Sequence, residues 1–172
     1  MMKRIVSVLS LCGMLAVSAH AADNVHFTGN LLAGSCTPVI VGTAMEEIIF
    51  PPADAADLQA SGQSARVPVT LKLANCESSL QNVKVTFSGT EDPLLATGFL
   101  ALAPGSRASG VGIGIETSNG TAVPVNSTAG VTFPLTAPNT TLNFNAWLQV
   151  EPGVTIVPGE FSASMTATFE YF

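Results

Sequence analysis

The chain has 172 residues, with twelve acidic side chains against six basic ones; 10% of it is charged and 47% is apolar. So acidic and charge-poor a composition argues against nucleic acid or anionic membrane as partners, since both are held by basic patches. An apolar share this large in a soluble domain points to surface intended for burial against another molecule.

The chain opens on Lys3 and Arg4, continues through the apolar stretch Ile5 to Val17, and reaches the small-x-small site Ala19-His20-Ala21. This is the pattern of a secretory signal peptide over residues 1–21, too short and wrongly flanked for a membrane anchor. Cleavage after Ala21 leaves Ala22–Phe172, 151 residues, which suits one domain with its own core. Arg66, Lys72, Lys84 and Arg107 are then the only basic residues against all twelve acids, a net charge of −8. No later run is long or apolar enough to span a bilayer.

Residues 22–33 form the next unit. From Asn24 to Leu31 the side chains alternate, with Val25, Phe27, Gly29 and Leu31 on one face of an extended chain. Cys12 leaves with the signal, so Cys36 and Cys76 remain, and two cysteines in an exported chain are most simply one disulfide. Closing a loop of that length stabilises a fold by roughly 4 kcal/mol on the chain-entropy account. A metal pair is the rival reading, but with only His26 left its further ligands would have to be carboxylates, so no metal is expected.

Residues 34–172 read as short strands punctuated by turns. The stretch Asp54–Ser64 is the least patterned and reads as a surface loop with room for one helical turn. Val67, Val69, Leu71 and Leu73 alternate, as do Val83, Val85 and Phe87, then Val111, Ile113 and Ile115, then Leu142 through Val150. Pro51-Pro52, Ser88-Gly89, Pro104-Gly105, Ser118-Asn119-Gly120, Pro138-Asn139 and Pro152-Gly153 separate the runs. No window of helical length keeps a 3.6 period, so the expectation is an all-β sandwich of immunoglobulin-like type.

The last fourteen residues are the most regular. Gly159, Phe161, Ala163, Met165, Ala167, Phe169 and Tyr171 fall on one face, and Glu160, Ser162, Ser164, Thr166, Thr168 and Glu170 on the other. Chain termini are ordinarily the least ordered part of a domain, so an apolar strand placed there needs a neighbour. On the residues alone two accounts stand: the alternating ends pair inside one self-sufficient domain, or each pairs with another chain.

Catalytic chemistry finds no centre. His26, the one histidine left after cleavage, lies in the amino-terminal alternating segment, so a Ser/His/Asp site has no base. Glu46-Glu47 and Glu91-Asp92 are sequence neighbours, which on a strand face opposite sides. Gly112-x-Gly114 falls within a strand pattern with no helix after it, unlike a phosphate loop. Asn119-Gly-Thr, Asn126-Ser-Thr and Asn139-Thr-Thr match the glycosylation pattern and read as turns, and Trp147 reads as a packed strand residue. Neither an enzyme nor a cofactor is expected.

The joint order of these features resembles the subunits of chaperone–usher fimbriae of the type 1 pilin kind. The matching features are the signal peptide, the alternating extension with Gly29, the pair Cys36 and Cys76, Ser109-Gly110-Val111-Gly112-Ile113, Leu142-Asn143-Phe144, and the terminal strand with its glycine fourteenth from the end and Tyr171 penultimate. Phe172 departs from the pattern, standing where a polar residue is more usual.

The resemblance implies an immunoglobulin-like sandwich lacking its final strand, completed by a donor strand from another subunit. It further implies a periplasmic chaperone, an outer-membrane usher and head-to-tail neighbouring subunits as partners, with the product at the cell surface. Gly159, Phe161, Ala163, Met165, Ala167, Phe169 and Tyr171 would line the acceptor groove and meet the chaperone. Val25, Phe27, Gly29 and Leu31 would fill a neighbour's groove, Phe27 and Leu31 contributing about 1.5–3 kcal/mol each. The alternative function is a single-domain adhesin or free-standing secreted binding module. A tip adhesin of this resemblance usually carries a further lectin domain, for which 151 residues leave no room.

Overall fold

The computed structural model describes residues 34–39 and 47–172. The signal peptide, the cleavage site and the extension bearing Val25, Phe27, Gly29 and Leu31 lie outside the described residues.

Among the described residues, seven strands and one short helix follow in chain order. They are β1 (Thr37–Val39), α1 (Ala55–Ser61), β2 (Val67–Ala74), β3 (Asn82–Gly89), β4 (Val111–Thr117), β5 (Val131–Pro134), β6 (Thr140–Val150) and β7 (Met165–Tyr171). The period-two runs of the sequence become β2, β3, β4, β6 and β7. The helical turn expected between Asp54 and Ser64 is α1. Asp54 caps it by accepting the backbone N–H groups of Ala56 and Asp57, and Gly62 ends it in the left-handed conformation at φ 77°.

All pairings are antiparallel, in two sheets ordered β1-β2-β6-β4 and β5-β3-β7. The first order is that of strands A, B, E and D in an immunoglobulin-like sandwich, and β3 and β7 stand as C and F. The position of G, on the free edge of β7, holds no strand among the described residues.

The core lies between the sheets. Val69 and Leu73 of β2, Val83, Val85 and Phe87 of β3, Ile113 and Ile115 of β4, and Leu142 and Phe144 of β6 are all buried. Phe144 joins the layers, meeting Phe87 and Phe133 edge-on with ring centroids 5.3 and 5.2 Å away. Cys36 and Cys76 are disulfide-bonded and tie the start of β1 to the end of β2.

On the outer face of the larger sheet, two glycines of β4 make room for large groups. A Cβ on Gly114 would fall 2.3–2.6 Å from the Trp147 ring, and one on Gly112 would meet Asp92 and Leu95. Trp147, 8% exposed, therefore lies across Gly114, with Phe99 edge-on at 5.8 Å and the Arg66 guanidinium 4.2 Å over the ring.

Candidate strand-acceptor groove

The terminal alternating segment folds in two parts. Strand β7 covers Met165–Tyr171 rather than the whole run from Gly159, because the stretch before it serves a different partner. Glu160 accepts backbone N–H bonds from Arg107 (2.8 Å) and Ala108 (3.1 Å), and Ser162 accepts one from Ala103 (2.7 Å). Gly159 is exposed, and its backbone runs so close to Arg107 and Ala108 that a Cβ would sit 2.8–2.9 Å from them. Its local role is thus close backbone approach.

From Phe161 onward the side chains alternate without exception. Phe161, Ala163, Met165, Ala167, Phe169 and Tyr171 are half-buried and pack against the core, while Ser162, Ser164, Thr166, Thr168 and Glu170 are exposed. The inner face of β7 is incomplete, as its register with β3 makes plain. Tyr171, Phe169 and Ala167 stand opposite Val83, Val85 and Phe87. Those three β3 residues are 0%, 0% and 2% exposed. Among the described residues, strand β3 has a neighbour on each side, whereas β7 has only β3. The apolar row is half-buried, and its strand's other backbone edge carries no partner among the described residues, a combination that invites strand pairing.

The two ends of this groove are fixed by different contacts. At the carboxy-terminal end the Tyr171 hydroxyl donates to the Cys36 carbonyl at 3.4 Å, and burial pushes its phenol pKa up, which keeps the donor protonated. Phe172 is anchored by its backbone. Its N–H donates to the Asn82 carbonyl at 3.0 Å, and its carbonyl accepts from Gln81 at 3.1 Å and Asn82 at 2.9 Å, leaving the ring 57% exposed. At the other end Phe161 meets Phe50 edge-on, centroids 5.7 Å apart. Phe50 opens onto a hollow of about 300 Å³, lined also by Pro51, Pro52, Leu58, Val67 and Leu148, with Asp54 and Asp57 among its residues.

Sequence reasoning missed one electrostatic pair. Asp92 is buried, its Oδ1 accepting the N–H groups of Leu94 and Leu95. Glu151 approaches it, and its carboxyl pKa is raised by burial first and then by the charge and hydrogen bonding of Asp92. The two residues lie far apart in the chain, so no local pattern announced them. Among the described residues no group of three His, Cys, Asp or Glu side chains could hold a metal.

An immunoglobulin-like sandwich with an open apolar edge beside its last strand defines a class, that of domains completed by a strand from elsewhere. The chain belongs to the fimbrial protein family, which matches residues 25–171. Those bounds take in both alternating ends. It is 51% identical over 162 residues to an uncharacterized fimbrial-like protein YfcP of Escherichia coli K12, spanning 92% of this chain and 90% of that one. It is 28% identical to long polar fimbria protein A of Salmonella typhimurium LT2, over 99% and 98% of the two chains. Its fold is that of the P pilus rod subunit PapA, with a TM-score of 0.68 at 21% identity, covering 80% of this chain and 99% of that one. The chain is a structural subunit of a fimbria, exported to the cell surface.

Proposed function

We propose that this subunit polymerises by donor-strand exchange and performs no catalysis. The groove lined by Phe161, Ala163, Met165, Ala167, Phe169 and Tyr171 accepts a strand. Val25, Phe27, Gly29 and Leu31 of residues 22–33 supply one to the next subunit. A periplasmic chaperone covers the groove first, and an outer-membrane usher is the place of exchange. The observation that carries this reading is the contrast between the closed inner face of β3 and the half-open face of β7 at the same register. An edge of this kind, left uncovered, aggregates, and head-to-tail filling of unlike surfaces yields a filament rather than a closed ring.

The test is periplasmic expression with a candidate chaperone, with and without residues 22–32. The full-length chain should form polymers that resist denaturant, while the truncated chain stays chaperone-bound. Stable monomers of both forms in the absence of any chaperone would show a self-sufficient domain and overturn the proposal.

A further inference from the structure

The alternation that turns one row of β7 toward the core turns the other onto the outer face of the smaller sheet. There Glu170 stands opposite Lys84 and is ion-paired with it. Phe172, two residues on, continues the same row. It exchanges both backbone hydrogen bonds with Asn82, at 3.0 and 2.9 Å, so its backbone is fixed while the ring stands 57% exposed. Asn82 and Lys84 of β3 face Pro134 and Thr132 of β5 on this side of the sheet. Past the Lys84–Glu170 pair the face dips into a hollow of about 420 Å³, walled by Thr86, Ser88, Asn126, Ser127 and Thr128. Asn126 holds that wall in place, its Oδ1 accepting the Gly89 N–H at 3.1 Å and its Nδ2 donating to the Gly89 carbonyl at 2.9 Å.

We propose that this outer face binds a neutral glycan. The Phe172 ring is the platform for the apolar face of a pyranose, and Lys84, Glu170 and Asn82 direct its hydroxyls.

Three arguments lead there. The first is chemistry. A pyranose has a face of C–H groups and a rim of hydroxyls, each able to donate and to accept. An exposed aromatic ring takes the face, while a carboxylate accepts from the rim and an ammonium and an amide donate to it. Phe172 and Glu170 are two residues apart on an extended chain, about 7 Å, so one sugar meets both, and a linked sugar reaches the hollow. The second is charge. Lys84 is already paired with Glu170, and the other groups of the face are uncharged. An anionic glycan would meet no free cation here, on a chain with twelve acidic residues against six basic ones. The third is size. A standard protein interface buries roughly 800 Å² per partner around an apolar centre. One exposed ring amid hydroxyls and amides offers no such centre, but suits a small ligand held by a few placed polar groups.

A face this open holds one glycan weakly. Resting on the strand-exchange reading above, a filament repeats it once per subunit, and linked sites exceed single-site affinity by about 10²–10⁴-fold where the ligand spans them. The inserted strand covers the inner row of β7 and leaves this outer row free. Its own outward residues, Asn24, His26, Thr28 and Asn30, would widen the face with further polar groups.

The probe is a printed array of oligosaccharides, neutral ones ending in hexoses or N-acetylhexosamines beside sialylated and sulfated ones, read with labelled polymers of the full-length chain. The expected result is binding to a set of neutral glycans that share a terminal sugar. Phe172→Ser and, separately, Glu170→Gln should each lower it about tenfold, the loss of one stacked or charge-assisted contact. Phe172→Tyr, which keeps a ring, should retain it. Leu94→Ser should change nothing, since Leu94 is also 55% exposed but adjoins Leu95, which packs on Gly112 of the other sheet. Binding that survives both Phe172→Ser and Glu170→Gln, binding confined to sialylated or sulfated glycans, or equal loss in Leu94→Ser would overturn the inference. So would intact polymers that bind no glycan. None of these results touches strand exchange, which fails separately if polymers form without residues 22–32 or if the chain stays monomeric; monomers read on the same array then still test the face.

Discussion

Phe169 separates the subunit's own stability from its capacity to accept a strand. It is half-buried opposite Val85, in the middle of the open row. A fully buried Phe→Ala change costs about 3–5 kcal/mol. In the empty groove only part of the ring is covered, so Phe169→Ala should lower the stability of the isolated domain by about half of that, roughly 1.5–2.5 kcal/mol. The remainder is realised only when a donor strand covers the other side. At about 1.4 kcal/mol per tenfold, this second share weakens binding of a donor roughly ten- to sixtyfold. The assay takes a chain lacking residues 22–32, freed of chaperone in denaturant and refolded at a concentration low enough to limit aggregation, titrates it by calorimetry with a synthetic peptide of residues 22–33, and follows denaturant unfolding of the same dilute chain. Thr168→Ala, exposed on the opposite face, serves as the control and should leave peptide affinity unchanged. If Phe169→Ala lost the full stability while binding the peptide as before, the ring would be completing a closed core and the groove reading would fall.

Three further outcomes follow from local geometry. Gly114→Ala forces the Trp147 indole off β4 and should cost about 1–3 kcal/mol in unfolding experiments, whereas Gly105→Ala, with open space around it, should be neutral or slightly stabilising. Removing the Cys36–Cys76 bond by a double alanine substitution should lower stability by about 2–5 kcal/mol, read as a fall in the unfolding midpoint under non-reducing conditions. Glu151 has a folded pKa raised by burial and by Asp92, so its neutral form is favoured in the fold. The stability this gives is present in acid and lost as pH rises through the folded pKa. Glu151→Gln should therefore be more stable than the parent at neutral pH, with the difference vanishing on acidification. An unchanged or opposite pH dependence would show that the pair does not repel.

The strands that bury one face were legible because alternation is local. Val83, Val85 and Phe87 announce β3 as plainly as Met165, Ala167, Phe169 and Tyr171 announce β7. The short strands β1 and β5 were not legible, since three or four residues give too little periodicity to register. Nor was the role of the β4 glycines, which depends on Trp147 arriving from β6 and Asp92 from a loop. The terminal run illustrates a different limit. Its period-two pattern extends from Phe161, yet ladder pairing with β3 begins only at Met165, because Glu160 and Ser162 are taken by the 103–108 loop. Side-chain alternation reports which way residues point, not which backbone they pair with.

That distinction also explains why alternation alone could not decide the function. Strands β3 and β7 carry the same kind of inward row, yet Val85 is closed off from solvent while Phe169, directly opposite, is half open. Among the described residues β3 has two neighbouring strands and β7 one, which is a property of the sheet order and not of either sequence. An edge strand built for solvent would be expected to interrupt its apolar row with an inward charge or a proline. Strand β7 does neither on its inner face, from Met165 to Tyr171. A row that keeps the apolar character of an interior strand while standing at an edge is stable only when covered. On the strand-exchange reading proposed above, that cover is a strand of another subunit.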